Sequence, residues 1–306
     1  MGTHDMKWTL HILEGLDEIQ PIEDLQRLVW PGSETDIVPA HLLKAAVEVG
    51  GLLIAAYPDP GETGSPSASP PSEPIGFVFG FPGFYLTADG PRLMHNSHML
   101  GIHPQYRSQG MGFALKRAQW QMVRRQGIDL ISWTYDPLLS TNAHLNIARL
   151  GAVCNTYLPN FYGSMRDDLN SGLPSDRFQA DWWVNTRRVS RRLSKKPRLP
   201  IHLDQLLSAQ VAVVNPAEIA NENIPHPAQE IKLPDIKPDT LLMVEIPADF
   251  TNLKQTDPQL ALDWRLHTRA VFAALFEQGY LVTDFVHHQG VPSRSYYVLS
   301  HGESTF

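Results

Sequence analysis

The chain has 306 residues, 42% of them hydrophobic, and a formal net charge of -7. The length suggests about two domains, and the acidic balance argues against general attraction to nucleic acid or anionic membrane. A single cysteine, Cys154, excludes an internal disulfide and a cysteine metal cluster, and no apolar run approaches the roughly 20 residues of a membrane helix, so a reducing, cytoplasmic setting without a membrane partner fits.

Residues 1–5 read as a disordered start without the build of a signal peptide, and Met6 breaks the myristoylation pattern. Residues 8–13 alternate as a first strand. Residues 16–29 carry Leu16, Ile19, Leu25 and Leu28 as a helical face, broken at Pro21 and stopped by Pro31 and Gly32. Residues 40–49 suit a second helix. A buried strand over 51–57 and a partner over 75–81 form a hairpin, and the Pro, Gly, Ser and acidic connection between them reads as a mobile surface loop or an active-site lid.

Residues 93–102 are apolar or small at most positions, and Pro104 forbids the ladder from continuing. Arg107, Ser108, Gln109, Gly110, Met111 and Gly112 follow, with glycines where the backbone needs positive φ or close approach to a ligand. Met111, Leu115, Ala118 and Met122 then form one stripe of an amphipathic helix, with Lys116, Arg117, Arg124 and Arg125 elsewhere and Gly127 as C-cap. A helix N-terminus behind a glycine turn offers N–H groups and the positive end of the macrodipole to a phosphate. The dinucleotide-binding pattern fails because Leu115 occupies the place of its third glycine, and no GxxxxGK[ST] loop exists. The plain alternative is an ordinary strand-to-helix turn with two convenient glycines.

Arg-x-x-Gly-x-Gly behind a strand ending in Leu100, Ile102 and Pro104 resembles the acyl-CoA motif of the GNAT superfamily of N-acetyltransferases. The resemblance implies an α/β fold with a mixed sheet, acetyl-CoA or another acyl-CoA as co-substrate, and no metal. By that resemblance, the amides of Arg107 to Gly112 hold the pyrophosphate, and the backbone of Leu100, Gly101 and Ile102 pairs with the pantetheine arm as an added strand does. The order continues with a strand over 128–135 and a short helix over 142–150 ending at Gly151, with Ser140 or Thr141 able to cap it. The family pattern places an asparagine near that helix start and a tyrosine four residues before the glycine. Here Asn142 lies closer to the glycine than the pattern expects, and Ile147 stands in the tyrosine's place. Tyr157 or Tyr162 can replace the missing acid, or both are packing tyrosines with satisfied hydroxyls.

His95 and His98 fall on opposite strand faces, and no histidine has metal-ligand spacing. His98, placed by alternation on the face of Leu100 and Ile102, is a candidate general base or a structural histidine. Further on, residues 163–178 make a polar insertion before a strand over 179–184, whose adjacent Trp182 and Trp183 must point oppositely. Residues 187–198 hold seven basic residues in twelve. They suit a solvated helix end and linker, or a contact to RNA or the CoA 3′-phosphate.

Residues 1–190 are therefore expected to form the catalytic lobe, and 200–306 a second, smaller α/β lobe. That lobe has strands over 211–214, 241–246, 280–286 and 296–299. Its helix over 258–278 carries Trp264, Thr268, Val271 and Leu275 on one stripe. Gln278-Gly279 echoes Gln126-Gly127, which suggests a degenerate half of a GNAT-like lobe. No second glycine loop exists, so one acyl-CoA site per chain is expected. The implied function is transfer of a short acyl group from CoA to the primary amine of a small molecule. Two rivals stay open: a non-catalytic acyl-CoA sensor or scaffold, and a nucleic-acid-associated protein using the basic block. The sequence sets no oligomeric state.

Overall fold

A computed structural model describes residues 7–32, 34–59, 73–163, 172–219, 224–231 and 240–301. Residues 1–5, most of the first-hairpin connection (60–72) and much of the polar insertion (164–171) lie outside the described residues. The fold is mixed α/β, in two compact units that divide after Ser132.

The first unit contains β1 (Trp8–Ile12), α1 (Leu16–Ile19), α2 (Pro21–Val29), α3 (Ala40–Glu48), β2 (Leu52–Pro58), β3 (Gly76–Thr87), β4 (Gly90–Ile102) and α4 (Met111–Arg125), and it opens β5 (Leu130–Tyr135). Its strands run in the order β1-β2-β3-β4-β5, antiparallel except for β4 with β5. The predicted break at Pro21 is there, with Pro21 opening α2, where its missing N–H costs nothing. Leu13, Ile19, Ile22, Leu25 and Leu43 pack on Leu53, Ala55, Tyr57, Phe77 and Phe79, the alternate residues of β2 and β3. α4 packs against β2, β3 and β4. β3 and β4 are longer than the sequence suggests. The sequence reading ends the strand at 81, but β2 pairs β3 only up to Gly80, so Pro82 breaks no ladder on that side and β3 runs on.

The second unit contains the end of β5, α5 (Ser140–Ala143) running into a π-wound stretch (His144–Arg149), β6 (Val153–Leu158), β7 (Arg177–Trp183), α6 (Arg187–Arg192), α7 (Leu203–Ser208), β8 (Ala212–Val213), β9 (Glu218–Ile219), β10 (Pro225–His226), β11 (Leu241–Ile246), α8 (Phe250–Thr256), α9 (Pro258–Glu277), β12 (Tyr280–His288) and β13 (Arg294–His301). The strand order is β5-β7-β6-β12-β13-β11-β8, with β9 and β10 as a separate ribbon. Trp264, Thr268, Val271 and Leu275 are all buried, as their helical stripe requires. Neither Ser140 nor Thr141 caps α5; Leu139 holds that position, and the Ser140 hydroxyl donates to the Pro247 carbonyl instead.

The contact division falls inside β5, whereas the sequence suggests a boundary between 190 and 200. β6 pairs β12 at Cys154 and Val282, and α9 packs on β6, so residues after 133 share their core with the C-terminal region. Within that core a pattern repeats. β5, a helix, β6 and β7 lie in spatial order β5-β7-β6; β11, two helices, β12 and β13 lie in order β11-β13-β12. The topological match of Gly279 is therefore Gly151, before β6, not Gly127 as the dipeptide echo suggests. All three have left-handed φ (75° at Gly127, 80° at Gly151, 83° at Gly279), so a shared helix-ending glycine alone could not discriminate them.

Candidate active site

β4 pairs with β5 at His95↔Ile131 and Asn96↔Ser132, and then runs on to Ile102 in register with β3. There the chain turns sharply. His103 Nδ1 accepts from the Gln105 amide at 3.3 Å, holding a 3₁₀ turn at Pro104–Tyr106. Arg107 Nε donates to the Ile102 carbonyl (3.2 Å) and Nη2 to the Val29 carbonyl (3.3 Å), pinning the loop to the ends of β4 and α2. Ser108 (φ 63°) and Gly110 (φ 85°) take the left-handed conformation, and Gly110 is the N-cap of α4. Arg107, Ser108, Gln109 and Gly110 are exposed, and a Cβ on Gly110 would meet nothing within 4 Å. An exposed loop thus wraps the N-terminus of a 15-residue helix and leaves room before it, the arrangement that suits a phosphate group. Met111 contributes only backbone: its side chain is buried, its sulfur lying where a Cβ on Gly76 would come within 2.6 Å.

A bulge alters the upstream face. Phe79 pairs with Met99 but Phe81 with Asn96, so Ser97 and His98 lie opposite the single residue Gly80. Because of this extra residue, His98 faces Phe79 (ring centroids 6.2 Å apart) and Phe81 (5.7 Å), on the side of the helical core. Leu100 and Ile102 pair with Val78 and Gly76 and lie on the other face. Simple alternation, which assigned His98 to the face of Leu100 and Ile102, fails here. His98 is exposed at its edge, yet its apolar surroundings lower its pKa.

On the α4 side, His95, Ser97, Lys116 and Gln119 are buried together. Lys116 lies off the apolar stripe that the sequence gives α4, yet in the fold it is 2% exposed.

The other sequence candidates belong to the second unit. Tyr157 donates its hydroxyl to Asp176 Oδ2 (2.7 Å) and stacks on Phe272, and burial beside that carboxylate raises its pKa strongly. Tyr162 stays exposed, its hydroxyl 2.9 Å from Thr134 Oγ1 and its ring under the Arg177 guanidinium. Asn142 is half-buried on α5, and Ile147 fully buried in the π-wound turn. Trp182 is buried and Trp183 half-buried, in line with opposed directions. Cys154 is buried, which pushes its thiol pKa up.

Three residues of the basic block are bound inside the second unit, while Arg187, Arg191, Lys195 and Lys196 stay exposed. Arg188 donates to the carbonyls of Gly151 (2.9 Å) and Thr283, and Arg192 to the Ala148 carbonyl and to Asp284 (2.9 Å). Arg198 reaches the same Asp284 oxygen at 3.1 Å. Among the described residues, no cluster of three or more His, Cys, Asp and Glu can hold a metal, and no helix is long and apolar enough to cross a membrane.

No family model matches the sequence, and no curated protein matches it. Solved structures do. Arabidopsis thaliana NAA60 in complex with acetyl-CoA is 15% identical, with a TM-score of 0.44 over 58% of this chain and 99% of that one. The GNAT family N-acetyltransferase YhbS from Escherichia coli, in complex with CoA, is 19% identical, with a TM-score of 0.34 over 45% of this chain and 67% of that one. An aminoglycoside 6′-acetyltransferase of type Ii is 18% identical, with a TM-score of 0.40 over 58% of this chain and 99% of that one.

Proposed function

We propose that the chain is an acyl-CoA-dependent N-acyltransferase of the GNAT type, using acetyl-CoA or another short acyl-CoA, working in the cytoplasm on the primary amine of a small molecule. The observation that carries this is the exposed Arg107 to Gly110 loop, with Ser108 and Gly110 left-handed, set on the N-terminus of α4. Its amides take the pyrophosphate, and the outer edge of β4 at Leu100, Gly101 and Ile102 pairs with the pantetheine arm. A neutral amine attacks the thioester carbonyl, a backbone N–H of β4 holds the oxyanion, and the C–S bond breaks to release thiolate. His98, with its lowered pKa, is neutral and able to take the ammonium proton. The thiolate takes its proton from a tyrosine or from water, and the Tyr157 hydroxyl is already committed to Asp176. Asn142 is the remaining expected CoA contact. Holding the two reactants together supplies most of the acceleration, which tolerates Ile147 in place of a tyrosine.

A second reading, a non-catalytic acyl-CoA sensor, is favoured by Ile147 alone; turnover separates the two. Calorimetric titration with acetyl-CoA, succinyl-CoA and free CoA tests the site, beside Gly110→Trp, which fills the open space before α4. Binding by the native chain and none by the variant is expected. No binding of any of the three by folded native protein overturns the reading.

A further inference from the structure

Four buried polar side chains lie beneath the β4 bulge, joined by hydrogen bonds that no part of the proposed chemistry uses. Lys116 Nζ donates to Ser97 Oγ (2.9 Å) and Gln119 Oε1 (3.2 Å). Ser97 Oγ donates to the same Gln119 oxygen (2.9 Å), and Gln119 Nε2 donates to His95 Nε2 (3.2 Å). His95 and Gln119 are 0% exposed, Lys116 2% and Ser97 6%. Gly80 completes the fit: a Cβ there would lie 2.3 Å from His95 Nε2 and 2.6 Å from the Asn96 carbonyl. Burying an amine, an amide and an imidazole costs several kcal/mol against apolar packing, and Ser97 is one of the two bulge residues opposite Gly80, with His95 two residues before it.

We propose that Lys116, Gln119, Ser97 and His95 form a buried strut that ties the β4 bulge to α4, and that they are positioning residues for acyl transfer on the β4 edge. This role rests on the acyltransferase reading; the strut itself does not. Ser97 is drawn inward to α4, so the chain must turn His98 to the opposite face and present the backbone from Met99 to Ile102 at a fixed height. The acyl-CoA loop is anchored separately, by Arg107 on Ile102 and Val29. Binding and turnover should therefore respond differently.

The test uses the full chain with Lys116→Met, Ser97→Ala and Ser97→Thr. In the first two, amide hydrogen exchange over 95–102 should quicken, acetyl-CoA affinity should stay within about twofold, and kcat should fall about tenfold or more, since small misplacements cost that much. Ser97→Thr keeps the hydroxyl and should retain most of kcat. Unchanged exchange in folded Lys116→Met and Ser97→Ala overturns the strut. Quickened exchange with native kcat overturns the positioning role. If native protein neither binds nor turns over acyl-CoA, the acyltransferase reading and the positioning role fall together, and the exchange result alone decides the strut.

Discussion

Lys116 and His95 sit in the same buried network, and burial pushes the pKa of Lys116 well below 10.5 and that of His95 from 6.5 to about 3, with Lys116 adding to the His95 shift. Both are bases with depressed folded pKa values, so the unfolded chain binds more protons and each contribution to stability falls as pH drops below the unfolded value. For Lys116 that loss is already in force near neutrality. Native protein should therefore gain in melting temperature relative to Lys116→Met as the pH rises towards 10.5, and a difference between the two that does not change with pH contradicts this. For His95 the window is 6.5 down to about 3. Across its middle, native protein should lose up to about 1.4 kcal/mol per pH unit more than His95→Asn in urea unfolding, one proton's worth. Equal slopes would mean that His95 is not held neutral. None of this was legible beforehand, because periodicity assigns Lys and Gln to solvent by residue type. The left-handed Gly110 was legible from its residue type, but that of Ser108 was not, since a serine seldom takes that conformation, and Gly112 does not take it.

α6 shows how an element can be seen in a sequence while its partners stay hidden. The density of Arg and Lys over 187–198 is plain, but Asp284 lies far along the chain, and only the pairing of β6 with β12 brings it near. Arg188 and Arg192 reach from α6 to Ala148 and Gly151 on one side and Thr283 and Asp284 on the other, so the helix clamps the two strand trios. Asp284→Asn leaves Arg192, 7% exposed, without its carboxylate. That should destabilise the second unit by about 3–5 kcal/mol in urea unfolding. Neutralising the exposed Arg187, Arg191, Lys195 and Lys196 together should change it by no more than about 0.5 kcal/mol. If those four matter and Asp284 does not, the clamp is wrong and the block is a surface for something else. The β4 bulge teaches the same lesson: one extra residue reverses the strand parity, so the face of His98 could not be read from alternation.

Across the whole molecule the question is how many acyl-CoA sites one chain carries. β11 and α9 were read from the sequence to within a residue, but the repeat they belong to shows only in strand order. In that repeat β8 pairs in parallel with β11 at Ala212↔Leu242 and Val213↔Met243, as β4 does with β5. Past Met243 the edge of β11 is already taken. Asn215, 0% exposed, accepts from the Glu245 amide (2.8 Å) and donates to the Glu245 carbonyl (3.0 Å), so its side chain acts as a peptide group of an added strand. The Glu245 carboxylate in turn holds the Ala217 amide and the Arg294 guanidinium. Between β8 and β11 no helix stands among the described residues, and the sequence there has no Arg-x-x-Gly-x-Gly. On the proposed reading, the second copy of the pattern has no counterpart of the glycine loop in its sequence, and Asn215 occupies the β11 edge that an added strand would need. Titration with the preferred acyl-CoA should saturate at one equivalent per chain, and Gly110→Trp should remove it entirely. Asn215→Ala should weaken the second unit by about 1–3 kcal/mol for each buried backbone group left unpaired, yet leave the stoichiometry at one. Two equivalents in the native chain, or one surviving in Gly110→Trp, would show that the repeated pattern retains a ligand site despite Asn215.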